Sequence, residues 1–83
     1  MYKVIITPQA KKQYKRISPS EKPKIKKKLF VLEKGPLFGK KLSGELAKLR
    51  SLRAWPYRII YLINEKEKTI FIVSILHRKE AYK

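Results

Sequence analysis

Cysteine is absent from the chain. That excludes a disulfide framework and any thiolate metal site, and it makes a reducing cytosol the natural compartment. A lone histidine, His77, cannot assemble a zinc site, and six scattered acidic residues outline no calcium or magnesium loop. No cofactor or metal is therefore expected. No apolar run approaches the ~18 residues of a membrane span. The opening Met1–Thr7 stretch is too short for the apolar region of a secretory signal, about 7–15 residues. The expectation is a soluble cytoplasmic protein.

What the sequence has in excess is positive charge. Lys+Arg number 22 against 6 Asp+Glu, a formal net charge of +16 on 83 residues. That length fits one domain spanning residues 1–83. A hydrophobic content of 43% distinguishes the chain from a disordered basic tail, which lacks apolar surface to offset chain entropy. Self-repulsion in so small a domain costs stability, and an anionic partner offsets it. Nucleic acid, an acidic protein and an anionic membrane surface all qualify, with nucleic acid first. Lysines paired with glutamates, as in heat-adapted proteins, would not leave this imbalance.

The chain reads as β-α-α-β-β-β. Tyr2–Ile6 is β-branched and bounded by Thr7-Pro8, the mark of a strand followed by an N-cap and a proline at the first helical position. A helix over Gln9–Ile17 places Ala10, Tyr14 and Ile17 on one face. Ser18-Pro19-Ser20-Glu21 breaks it and starts a second helix capped by Ser18 or Ser20. There Ile25, Leu29 and Leu32 form the buried stripe, and Gly35-Pro36 is the stop. Residues 37–48 lack periodicity and read as a connection anchored by Leu37, Phe38 and Leu42. Leu49–Ala54, Tyr57–Ile63 and Thr69–Leu76 read as strands, the last two joined by a polar hairpin connection over residues 64–68. The expected architecture is α+β, with two N-terminal helices on one face of a small antiparallel sheet and the other face partly open. Tyr2, Tyr14, Phe30, Phe38, Tyr61 and Phe71 are assigned to the core or its edge.

Four of the five arginines, Arg50, Arg53, Arg58 and Arg78, fall in the strand-forming half. If Trp55-Pro56 is a two-residue hairpin tip, Arg53 stands directly opposite Arg58. Facing like charges destabilise a strand pair, whereas an anion held between two guanidiniums reverses the sign. Two splayed, solvated arginines are the plainer alternative. Arg78 and Tyr82 lie four apart, so a helical turn puts them on one side. Tyr82 is then either a reactive phenol or an anchor on the sheet. His77 is either structural or a proton donor near neutrality. The helix lysines, Lys26 and Lys27 among them, add salt-dependent affinity for a polyanion. Trp55 at the tip is a candidate for partner binding or base stacking.

At these residues the sequence resembles the RelE/ParE superfamily of toxin–antitoxin toxins. The resemblance spans nearly the whole chain: the first strand followed by Thr7-Pro8-Gln9-Ala10, a basic helical pair, Lys41-Leu42-Ser43-Gly44, and Leu52-Arg53 leading to Tyr57-Arg58-Ile59-Ile60-Tyr61. It closes with His77-Arg78-Lys79 and Tyr82. Ser51 stands where the family often has a basic residue, with Lys48 and Arg50 nearby as substitutes, and Trp55-Pro56 replaces a Gly-Asp type of turn.

The resemblance implies a RelE-like mRNA interferase that cuts mRNA on the ribosome without metal. It also implies a complex with a cognate acidic, RelB-like antitoxin, and a catalytic set of Arg53, Arg58, Arg78 and Tyr82. Arg53 and Arg58 would clamp the phosphate and stabilise the phosphorane. Arg78 would be a further phosphate ligand or assist the leaving oxygen, and Tyr82, its pKa lowered by the cations, would take the 2′-OH proton. Lys26, Lys27, Lys48, Arg50, His77 and Lys79 complete the expected nucleic-acid contacts. The alternatives are a ParE-like inhibitor of DNA gyrase and a non-catalytic nucleic-acid-binding co-repressor.

Overall fold

The computed structural model describes residues 2–42, 44 and 48–81. The first strand, β1 (Lys3–Ile6), runs into Thr7, which ties two layers together. Its side-chain oxygen accepts the Ala10 N–H at 3.4 Å as helix cap, and its hydroxyl donates to the Ile72 carbonyl at 2.7 Å. Pro8 follows as the first residue of α1 (Pro8–Arg16), where its missing N–H leaves no bond unmade. Ile17 closes this helix as a buried cap, its N–H donating to the Tyr14 carbonyl at 3.1 Å.

The second helix, α2 (Lys22–Lys34), is not capped by a serine. Glu21 occupies the cap position without a side-chain hydrogen bond. The Ser18 and Ser20 hydroxyls bond each other at 3.3 Å, and the Ser18 carbonyl accepts the Glu21 and Lys22 N–H groups. Backbone therefore replaces the serine side chain in this tight turn. The stripe is as expected: Ile25 and Leu32 are fully buried and Leu29 is half-buried. Phe30, one residue off that stripe, is 62% exposed rather than core. Gly35 ends the helix.

A 3₁₀ turn (Pro36–Phe38) leads to a two-residue strand, β2 (Lys40–Lys41), which the sequence pattern did not reveal. Then come β3 (Leu49–Ala54), β4 (Tyr57–Asn64), β5 (Thr69–His77) and a final helical turn, α3 (Arg78–Ala81). The sheet order is β1-β5-β4-β3-β2. It is mixed: β1 runs parallel to β5, and every other pair is antiparallel. The parallel pair is possible because α1, α2 and three strands intervene, giving the chain length to return to the same end. Where β1 stops, α1 covers the edge of β5. Gln13 accepts the Ile75 N–H at 2.7 Å, and Gln9 donates to the Ser74 hydroxyl at 2.8 Å.

Ala10, Ile17, Ile25 and Leu32 from the helices pack on Ala54, Ile59, Tyr61, Ile70, Ile72 and Ile75 from the sheet. Leu37 and Phe38, expected as anchors, are 64% and 67% exposed. Tyr61 does the anchoring instead. Its hydroxyl donates to the Pro36 carbonyl at 2.6 Å and accepts the Gly39 N–H at 2.8 Å. Gly39 lies so close to the Tyr61 ring that a Cβ there would collide with it. No described helix is long and apolar enough to cross a membrane.

Candidate functional site

Side chains opposite one another in a ladder share a face. Arg53 pairs with Arg58, and Arg58 with Leu76, so both arginines stand on the face away from the helix-packed core. The next level, Ala54 with Tyr57 and Tyr57 with His77, points to the helix side. The hairpin tip is Trp55-Pro56, joined by a cis peptide bond. It is held from two directions. Lys24 of α2 donates to the Trp55 carbonyl at 2.9 Å while pairing with Glu21 at 2.8 Å, and the Arg78 N–H donates to the Pro56 carbonyl at 2.7 Å.

The Trp55 ring, 49% exposed, gathers the cations. The Arg53 guanidinium lies 5.7 Å from its centroid and that of Arg78 lies 5.2 Å away. Such distances fall within cation–π range. Arg53, Arg58 and Arg78 are thus assembled by strand register, by a backbone bond and by one indole. Tyr82, the fourth member of the expected set, lies outside the described residues.

A groove of about 440 Å³ follows the edge of β3 beyond the end of β2. Lys28, Phe38, Lys40, Ser51, Leu52, Arg53 and Arg58 line it. Lys28, Lys40 and Phe38 were not singled out by the sequence for this surface. For Lys28 a signal existed: it is four residues after Lys24, whose amine reaches the hairpin tip, so the two share a helix face. For Lys40 and Phe38 no periodicity marks the segment.

The other expected nucleic-acid contacts disperse. Lys26 faces an apolar concavity of about 340 Å³ lined by Val4, Ile6, Tyr14, Leu29, Phe30 and Glu33. Lys27 and Lys79 are exposed on α2 and α3. Lys48 and Arg50 line a separate hollow of about 320 Å³ with Leu37, Lys41, Leu62, Ile63 and Glu65. Arg50 also has a structural bond, donating to the Gly39 carbonyl at 2.9 Å.

His77 belongs with the helices. Its ring meets that of Tyr57 edge-on at 5.3 Å and 90°, in a small hollow shared with Gln13, Arg16, Ile17 and Ile75. Its Nδ1 accepts the Lys79 N–H at 3.2 Å. The cause is a bulge between Ile60 and Tyr61. Counted back from the Asn64–Thr69 pair without that extra residue, His77 would share the Arg58 face. One inserted residue sends everything beyond it to the opposite side.

Burial raises the Tyr61 pKa, opposed in part by the Gly39 N–H and by the charge of Arg50. Tyr61 is therefore a neutral strut. Among the described residues, no three His, Asp or Glu side chains stand close enough to hold a metal ion.

The family described as the ParE toxin of type II toxin–antitoxin systems, parDE, matches residues 4–82. The chain belongs to that family. Solved structures place this toxin in the RelE/ParE superfamily. The RelBE2 toxin–antitoxin complex of Mycobacterium tuberculosis contains a chain 32% identical, with a TM-score of 0.86 over 93% of the toxin and 98% of that chain. The archaeal RelE–RelB complex of Pyrococcus horikoshii gives 26% identity and a TM-score of 0.76, covering 93% and 94%. The isolated RelE toxin of Escherichia coli, at 22% identity, has the same fold, with a TM-score of 0.80 and coverage of 98% and 95%. Comparison with curated protein sequences gives no match. The toxin's two helices over a five-stranded mixed sheet are the arrangement of these structures.

Proposed function

We propose that the toxin is a ribosome-dependent endoribonuclease that cuts mRNA in the cytoplasm by metal-independent phosphodiester cleavage. The observation that carries this reading is the Arg53–Arg58 pair on the open sheet face, with the Arg78 and Arg53 guanidiniums each within cation–π distance of Trp55. Cleavage by the neighbouring 2′-OH requires loss of that proton, stabilisation of a pentacovalent phosphorane and protonation of the departing 5′-oxygen. Guanidiniums suit the second task, since they hold phosphate oxygens bidentately and keep their charge. Arg53 and Arg58 clamp the scissile phosphate, and Arg78 is a further ligand to the phosphate or assists the leaving oxygen. Tyr82 is the proposed base. The products are a 2′,3′-cyclic phosphate and a 5′-OH.

A site built from arginines, with few ordinary bases, is slow unless the substrate is held in place. The ribosome supplies that positioning, which is worth up to several kcal/mol. The partner proposed for the free toxin is an acidic, RelB-like antitoxin, as in the complexes formed by its relatives. Folding of such a segment on the basic surface relieves charge repulsion and blocks the arginines.

Mapping of mRNA ends after induction tests the proposal, with Arg58→Ala as control. New ends within codons of translated messages, absent in the variant, support cleavage. The ParE family match favours one second reading, inhibition of DNA gyrase. Intact mRNA together with an SOS response would establish that reading and remove the first.

A further inference from the structure

Single exposed apolar side chains are ordinary on protein surfaces. Phe38 differs because its ring is held in place at the cationic groove. It is 67% exposed and lines the groove with Lys28, Lys40, Arg53 and Arg58. Its own N–H donates to the Gly35 carbonyl at 3.1 Å, and the buried Tyr61 grips the residues on either side through the Pro36 carbonyl and the Gly39 N–H. The ring lies against Gly35, where an added Cβ would run into it. Register explains its position. Lys40 opposes Ser51, so a longer β2 would bring residue 38 level with Arg53, and the 3₁₀ turn places a phenyl ring there instead of another ladder pair.

We infer that Phe38 is a base-stacking platform, taking the nucleobase next to the phosphate held by Arg53 and Arg58. The inference rests on the proposal that RNA occupies this groove, and it adds a contact that selects single-stranded RNA. Every nucleobase offers a π-face, and an exposed aromatic beside fixed cations matches the alternation of base and phosphate along one strand. The lysines at the rim supply charge without reading sequence. An acidic peptide would meet the same cations but has no general use for the ring.

The test is equilibrium binding at low salt to a short single-stranded RNA carrying 2′-O-methyl groups, which cannot be cut. Its counterpart has one abasic nucleotide beside the central phosphate. The unmodified toxin should prefer the intact RNA by about tenfold, the loss expected for one stacked base. Phe38→Ala should bind the intact RNA as weakly as the abasic one, and Phe38→Trp should restore the preference. Gly35→Ala, which pushes the ring off its seat, should weaken binding of the intact RNA alone. Equal affinity of the unmodified toxin for both RNAs, a Phe38→Ala loss that is the same on both, or no binding of the intact RNA would overturn the inference. Cleavage is not read in this assay. A toxin that discriminates the abasic RNA yet leaves mRNA uncut keeps the platform and loses the nuclease proposal, and the converse result separates them the other way.

Discussion

The Tyr61 hydroxyl accepts the Gly39 N–H at 2.8 Å, fastening a strand in the middle of the sheet to the turn that carries Phe38. Tyr61→Phe removes that acceptor and leaves the Pro36 carbonyl without its donor. Orphaned polar groups of this kind cost about 1–3 kcal/mol. Urea unfolding should show a loss of that size.

The same phenol makes stability depend on alkaline pH. Burial raises its pKa in the folded protein, so the unfolded chain releases the proton first, near the ordinary tyrosine value of about 10. Between that value and the higher folded one, the unfolded state binds fewer protons and stability falls as pH rises. The contribution is complete below about 10 and disappears as pH passes the folded value. Denaturation at stepped pH should show a steeper alkaline decline for the unmodified toxin than for Tyr61→Phe.

Arg53 and Arg58 repel each other across the ladder. Arg53→Ala relieves a few tenths of a kcal/mol of repulsion but forfeits the contact with Trp55, worth about 0.5–1 kcal/mol. Stability should be nearly unchanged or slightly lower. Arg58→Ala should lower the rate of mRNA cleavage by about a hundredfold or more, the usual cost of losing one electrostatic stabiliser of a transition state. Thermal melts beside growth-arrest assays at matched expression check both.

Trp55→Ala frees two guanidiniums at once. Each exposed cation–π contact is worth about 0.5–1 kcal/mol, so stability should fall by about 1–2 kcal/mol while mRNA cleavage falls roughly tenfold. Trp55→Phe should recover part of the rate.

Salt titrations of RNA binding distinguish the lysines. Removal of Lys28 or Lys40, at the groove, should reduce the slope of log affinity against log salt by about 0.7 each if each contacts one phosphate of a single strand. Lys26→Ala, on the apolar concavity, should leave the slope unchanged.

The local chemistry was readable where short-range rules decide it. Thr7-Pro8 announces a capped helix, and a two-residue tip at Trp55-Pro56 fixes the Arg53–Arg58 register. Long-range events were not readable. The parallel pairing of β1 depends on where the chain returns, and β2 is too short to show alternation. The face that His77 takes was not readable, because nothing around Val73, the unpaired residue opposite Ile60 and Tyr61, signals a bulge. Phe38 reads as core by composition, and only the Tyr61 clasp reveals why the turn presents it outward.

The bond from the Arg78 amide to Pro56 joins the carboxyl-terminal turn to the hairpin tip at the rim of the sheet. Detaching that last turn would carry Arg78 away from the Arg53–Arg58 pair yet leave the isoleucine-rich centre undisturbed. Under the nuclease reading proposed above, release of this one turn would disarm the toxin without unfolding it.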